Sequence, residues 1–304
     1  MRGVDYIGFE ANHFLTWHGI TEAIAEGHRH PKAVVDDTFL KRGEDTLMVR
    51  AAMIDGLGSA VKVATVFPGN PQRDLPMVNG AVSLFNDRTG QLEAMVDFNL
   101  VTRWKTAGDS LLAATLLAPP EVRTILVVGA GAVSESMVFA YRSVWPKARF
   151  LIWNRTRAKA EDLAETHRMS VADDLADAVA EADIITTATM APEPLIRGDW
   201  LRPGQHVDLI GAFRADLREA DDVAMQRARI FVDSYATTLD HIGELKIPLA
   251  AGTITREDVI ADYYDLAAFS RDPDDITLFK NGGGAHLDLM VARAILDTVR
   301  RRGG

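Results

Sequence analysis

The residues best suited to chemistry in this chain form a short glycine turn. Gly129-Ala130-Gly131-Ala132-Val133-Ser134 follows directly on the apolar, β-branched run Thr124-Ile125-Leu126-Val127-Val128 and opens a stretch with helical spacing. In a dinucleotide site the first glycine permits a tight turn, and the second lets the backbone approach a pyrophosphate held on the free N–H groups of a helix start. Ser134 stands where a third glycine would pack helix on strand, a job open to a small residue. Gly129, Gly131, Ala132, Val133 and Ser134 are therefore candidate cofactor contacts. The next strand-like run, Arg149–Trp153, leads into Asn154-Arg155-Thr156, with no carboxylate where an NAD site places one for the ribose 2′-OH. A guanidinium at Arg155 and a hydroxyl at Thr156 suit a 2′-phosphate, so NADP(H) is favoured, with NAD(H) the alternative. The plainer alternative makes Arg155 a solvated residue at a helix start.

Other chemistries are excluded by composition. The chain of 304 residues has no cysteine, which removes disulfides, thiolate metal sites and a cysteine nucleophile; no metal site is expected. With 33 basic against 43 acidic residues the formal charge is −10, a balance that repels polyanions and speaks against a nucleic-acid partner. The start, Met1 to Phe14, carries Asp5 and Glu10 and no apolar leader core, and no uncharged apolar run approaches the ~18 residues of a membrane span. The expectation is a cytoplasmic protein with no membrane partner.

The elements that must position these residues change character near residue 120. Before it, Thr16 reads as the N-cap of a helix to about Ala25, followed by strand-like stretches at 46–52, 60–67, 80–86 and 92–98. Asp87-Arg88-Thr89-Gly90 makes the last two a hairpin, and antiparallel pairing follows for this half. Residues 100–118 have helical spacing and stop at Pro119-Pro120. Beyond, apolar runs at 124–129, 149–153, 183–188, 206–211 and 229–233 alternate with helical stretches, the pattern of a parallel sheet covered on both faces. The stretch 258–269 reads as a short helix, and His286–Arg301 as a final helix with a basic end.

With these pieces placed, the chain resembles the ornithine cyclodeaminase/μ-crystallin family over nearly its whole length. The segments that carry the likeness are VKVATVFPGN at 61–70, TGQLEAMVD at 89–97, Thr102–Ala107, VVGAGAVSES at 127–136, WNRT at 153–156, GAFRADLREADD at 211–222, VDS at 232–234 and TLFKNGGGAHLD at 277–288. The resemblance implies an α/β fold: a Rossmann-type doubly wound parallel sheet at 119–279, inserted into an α+β substrate-binding and dimerisation domain made of 1–118 with 280–304. It also implies a homodimer and hydride chemistry at the α-carbon of a small amino or imino acid.

Residue by residue, the resemblance makes Arg50 the arginine that grips the substrate carboxylate and Lys62 the active-site lysine that contacts it and relays a proton. Taken alone, Lys62 reads as an edge-strand gatekeeper; on the period of a strand it shares a face with Ala60 and Ala64. Lys105 falls where the family usually has arginine, beside Thr106, in a position that touches cofactor phosphate and substrate; the charge is kept and the bidentate fork is lost. Thr189 and Met190 match the loop that supports the nicotinamide, and Asn281 and Gly282 the loop that closes over cofactor and substrate. The sharpest departure is Phe213, in place of the aspartate that deprotonates the substrate amine in ornithine-deaminating members. Asp208 and Asp216 are not at the matching position, the first on a buried strand and the second on a polar loop. Loss of that base favours reduction of a preformed imine, such as Δ1-pyrroline-2-carboxylate, by NAD(P)H. The alternatives are a cyclodeaminase with internally recycled NAD and a non-catalytic binding protein of μ-crystallin type. Trp104, Phe213 and His286 are candidate specificity residues, His286 reading more simply as a solvent-bonded residue of a helix start.

Overall fold

The computed structural model describes residues 4–303. Met1-Arg2-Gly3 of the N-terminal stretch and Gly304 of the C-terminal segment lie outside the described residues. The chain divides into two compact units, Met1–Lys105 with Gly283–Gly304, and Thr106–Gly282.

The first unit contains β1 (Asp5–Ile7), α1 (Trp17–Gly27), β2 (Val34–Arg42), β3 (Asp45–Ile54), β4 (Gly58–Val66), β5 (Val78–Phe85) and β6 (Leu92–Asp97), and the start of α2 (Phe98–Leu117). Thr16 caps α1, its hydroxyl accepting from the Gly19 N–H. The sheet runs β1-β6-β5-β4-β3-β2. Its pairs are antiparallel as the hairpin signal predicts, except that β1 lies parallel to β6. β2 escaped the sequence reading because Asp36 and Asp37 interrupt its apolar pattern. Strand alternation sets the two faces: Ala60, Lys62 and Ala64 are all buried, while Val63 on the other face is 39% exposed.

The second unit continues with β7 (Thr124–Val128), α3 (Ala132–Val144), β8 (Arg149–Trp153), α4 (Arg157–His167), β9 (Ser170–Val171), α5 (Leu175–Glu181), β10 (Ile184–Thr187), β11 (His206–Leu209), α6 (Asp222–Arg227), β12 (Ala228–Val232), α7 (Tyr235–Thr238), α8 (Gly243–Ala251), β13 (Val259–Ala261) and β14 (Ile276–Lys280). Every neighbouring pair in its sheet, β13-β12-β14-β11-β10-β7-β8-β9, is parallel. The chain winds outward in both directions from β7, which makes this an α/β doubly wound sheet of Rossmann type with its switch point between β7 and β10. The stretch 258–269 is not a helix. Val259–Ala261 pairs with β12, and a 3-10 turn at Tyr263–Ala268 follows, begun by Asp262 accepting from the Tyr264 N–H.

The chain then closes with α9 (Ala285–Gly303), which packs on α1, β3 and β4 of the first unit. The division between units falls inside α2, at Lys105/Thr106, rather than at the Pro119-Pro120 stop. The last turns of α2 are bound within the second unit, where Tyr263 Oη donates to the Asp109 carbonyl and Thr277 Oγ1 to that of Leu117. Among the described residues no helix is long and apolar enough to cross a membrane.

Candidate functional site

In the second unit the glycine turn lies at the carboxyl end of β7, at the switch point. Gly129 has φ +112°, open to glycine and strained for other residues, and a Cβ there would come within 2.8 Å of the Ala188 carbonyl oxygen. Gly131 is the N-cap of α3 and has open space beside it. Because no side chain caps α3, the N–H groups of Ala132 and Val133 at its start are available to an anion. Ser134 is fully buried, and its Oγ has no hydrogen-bond partner among the described residues. A narrow backbone cradle, an uncapped helix start and an orphaned buried hydroxyl fit the pyrophosphate of a dinucleotide. Beyond β8, Asn154 Nδ2 donates to the Thr156 carbonyl, Thr156 begins α4 without a side-chain cap bond, and Arg155 is exposed with no ion-pair partner among the described residues.

The loop after β10 is held from below. Thr189 donates from both its N–H and its Oγ1 to Glu219, and Met190 beside it is 73% exposed. Phe213, on the loop after β11, is 59% exposed beside the Arg214 guanidinium. Asn281 spends its amide inside the unit, donating to the Thr106 carbonyl and to Ser110 Oγ, and so ties the end of β14 to α2. Gly282 is required by packing, since a Cβ would meet Thr238 Cγ2 at 2.6 Å and Asp233 Oδ1 at 2.8 Å.

In the first unit, Arg50 and Lys62 are direct cross-strand partners on β3 and β4. β4 is an interior strand, so Lys62 is not an edge gatekeeper. Its Nζ donates to Asp288 Oδ1 at 3.1 Å and to Thr102 Oγ1 at 3.3 Å, and lies over the Phe98 ring. Lys105 Nζ stands 3.9 Å from the same Asp288 oxygen and donates to the Gly283 carbonyl, which also accepts from Arg50 Nη1. Arg50 donates through Nε and Nη2 to Asp37 Oδ2. Asp288 is 1% exposed; burial alone would raise its carboxyl, yet Lys62, Lys105 and Arg50 hold it below the usual range. Its second oxygen, Oδ2, is buried with no hydrogen-bond partner among the described residues.

His286 belongs to this cluster and is not solvent-bonded. It is 1% exposed, packed edge-on against His28 at 5.2 Å, and its Nε2 has no partner among the described residues. Burial, then His28, Lys105 and Arg50, push its imidazole well below the ordinary value; burial takes His28 to about 4. Both rings are thus neutral at physiological pH. Trp104 is buried, packed against Trp17 with the rings tilted by 37° and donating from Nε1 to Asn12 Oδ1. Asp288 and His28 were missed by the sequence reading. An acid between Leu287 and Leu289 in an otherwise apolar helical turn is the signal that could have found the first.

The profile of the ornithine cyclodeaminase/mu-crystallin family matches residues 21–303. The chain belongs to this family. The Δ1-pyrroline-2-carboxylate reductase of Paracoccus denitrificans (strain Pd 1222) is 51% identical over 291 residues, 92% of each chain. Among solved structures, the iminosuccinate reductase of Paracoccus denitrificans in complex with NAD+ superposes with a TM-score of 0.89 at 25% identity, covering 99% of this chain and 98% of that one. The Δ1-pyrroline-2-carboxylate reductase of Thermococcus litoralis, in complex with NADH and L-proline, does so at 0.88 and 22% identity, covering 99% and 98%, a likeness of fold.

Proposed function

We propose that this protein is an NAD(P)H-dependent reductase of a small imine bearing a carboxylate, with Δ1-pyrroline-2-carboxylate as the leading candidate. The observation that carries the reading is a lysine, 4% exposed, set directly across the strand from an arginine and ion-paired to a buried carboxylate. Arg50 offers guanidinium donors to the substrate carboxylate. Lys62 holds a proton for the imine nitrogen, and Asp288 stabilises the charged ammonium that donates it. A bound reduced nicotinamide supplies the hydride to the imine carbon, so the C=N bond becomes CH–NH with one hydride and one proton consumed. The Gly129–Ser134 turn and Thr189 would hold that cofactor, with Met190, Asn281, Gly282, Lys105 and Thr106 nearby in the family pattern. The 51% identity to a named reductase supports the assignment.

Cyclodeamination needs a base for the substrate amine; Asp288 is engaged as the counter-ion of Lys62, and the acids of the β11 strand and loop are committed elsewhere. Asp208 accepts from Ser110, Tyr141 and Thr186, and burial lifts it to about 6; Asp216 is exposed and paired with Arg214. The exposed guanidinium of Arg155 favours NADPH. A homodimer belongs to the same reading: Tyr6, Val34, Leu40, Met53, Val63 and Met95 are exposed apolar residues on the sheet face opposite Lys62, a surface suited to a second copy. A cytoplasmic location, where reduced nicotinamide is regenerated, completes it.

The test is Δ1-pyrroline-2-carboxylate and Δ1-piperideine-2-carboxylate, each with NADH and NADPH, followed by nicotinamide absorbance. Stoichiometric loss of the reduced cofactor supports the reading. Ammonia release from ornithine with no net change in nicotinamide would overturn it.

A further inference from the structure

Glu219 is fully buried, yet its carboxylate joins two loops that carry candidate site residues. Oε1 accepts from the Thr189 N–H and from Thr189 Oγ1, both at 2.7 Å, and Oε2 accepts from the Gly211 N–H at 2.6 Å. The loops it joins follow β10 and β11 at the carboxyl edge of the sheet. The β10 loop also touches the phosphate cradle: the Ala188 N–H donates to the Val128 carbonyl, and the Ala188 carbonyl sits where a Cβ on Gly129 would collide. Contact thus runs from Glu219 through Thr189 and Ala188 to the first glycine of the turn.

Such a carboxylate is costly to bury, and the surrounding structure compensates it. Glu244, also fully buried, accepts from the backbone N–H groups of Glu219 and Ala220 and so fixes the segment from which Glu219 reaches out. Lys280, at the end of β14, supplies positive charge to both glutamates while donating to the Leu209 carbonyl. All three hydrogen bonds point to the edge where the switch point places a dinucleotide.

We propose that Glu219 is a positioning residue for hydride transfer, locking the Thr189 loop and the Gly211 turn to each other so that the nicotinamide end of the cofactor meets a rigid wall. The proposal rests on the dinucleotide reading of the second unit. It separates the two halves of the cofactor, because Glu219 bonds directly to Thr189 and Gly211 and reaches the glycine turn only at second hand through Ala188, while Asn154–Thr156 on the adenine side stand apart from it.

The experiment uses the full-length enzyme with Glu219→Gln and Thr189→Val. Glu219→Gln replaces an acceptor facing the Gly211 N–H by a donor; Thr189→Val removes one of the three bonds. Dissociation constants for ADP-ribose and NADH are measured by titration, with kcat and KM for NADH. For Glu219→Gln, ADP-ribose affinity stays within about twofold of the parent, while KM for NADH rises and kcat falls by about tenfold each. Thr189→Val moves the same two parameters about threefold. Parent-like NADH kinetics in Glu219→Gln, or ADP-ribose binding lost in step with NADH binding, overturns the proposal. If Glu219→Gln does not fold, Thr189→Val decides by the same criteria. A parent enzyme that binds neither nucleotide refutes the dinucleotide reading, and the proposal falls with it.

Discussion

Asp288→Asn isolates the charge that holds the lysine cluster together. At the 3.1 Å separation from Lys62, an effective dielectric near 20 gives a Coulomb attraction of about 5 kcal/mol. Desolvating two ions offsets much of that gain, so the pair as a whole adds little to stability. Removing one member is different, because Lys62 and Lys105, 4% and 5% exposed, then keep their burial cost without the compensating anion. Breaking such a pair costs roughly 3–5 kcal/mol, and the amide oxygen that still accepts from Nζ puts Asn near the lower end. The carboxyl of Asp288 is depressed in the folded state. Its contribution is therefore present above the ordinary carboxylate pKa and lost as pH falls through the folded value, so parent and variant converge in acid. Catalysis should fail over the same window: wherever the parent's Asp288 is ionised it supplies the counter-charge that the variant lacks, so kcat falls there by about tenfold to a hundredfold and the two profiles converge in acid. Urea unfolding at neutral pH and the pH dependence of kcat measure the two effects. Lys62→Met in the Asp288→Asn background should recover part of the stability and none of the turnover. A variant within about 0.5 kcal/mol of the parent, with an unchanged pH–rate profile, would refute the account.

Two further outcomes follow from side chains already placed. Arg155→Ala should raise KM for NADPH about tenfold and leave KM for NADH within about twofold, measured by steady-state kinetics with either cofactor; equal effects on both would remove Arg155 from 2′-phosphate recognition. His28, depressed from 6.5 to about 4 by burial, contributes stability that is present above pH 6.5 and lost as pH falls towards 4, up to about 3 kcal/mol. Protection factors in α1, the exchange rates corrected for their intrinsic pH dependence, should fall over that window in the parent and much less in His28→Gln; identical pH dependence in the two would show that the ring does not titrate on unfolding. Asp208 and Glu244, raised to about 6 and about 7 by burial, act in the opposite sense within the second unit, stabilising it in acid.

Features set by short-range pattern were legible in the sequence. The strand, turn and helix around Gly129 declare themselves within a dozen residues, and the small-residue face shared by Ala60, Lys62 and Ala64 follows from the period of a strand. Contacts formed across long stretches of chain were not. Lys62 and Asp288 stand 226 residues apart, and only the return of α9 onto β3 and β4 makes them a pair. β2 was hidden because Asp36 and Asp37 break its pattern, though Asp37 is the cross-strand partner of Arg50. His286 looked solvent-facing after three glycines; α1 covers it with His28. β13 was misread as helix because a three-residue strand has no periodicity to show, and its pairing with β12 lies elsewhere in the sequence.

The formal charge of −10 opposes a carboxylate substrate only at long range. Repulsion from scattered surface acids is screened over about 8 Å at physiological salt. The cations of the first unit act at short range: Lys62 and Lys105 stand 3.1 Å and 3.9 Å from the buried Asp288 carboxylate, and Arg50 adds to them in holding that carboxyl below the usual range. The neighbouring histidines add no charge there, because burial, with Lys105 and Arg50 nearby, keeps His286 neutral and burial does so for His28. A neutral imidazole beside Lys105 and Arg50 is a hydrogen-bonding group whose protonation does not compete with binding an anion. The cluster can therefore hold a carboxylate with Arg50 and Lys62 set side by side on neighbouring strands to meet it.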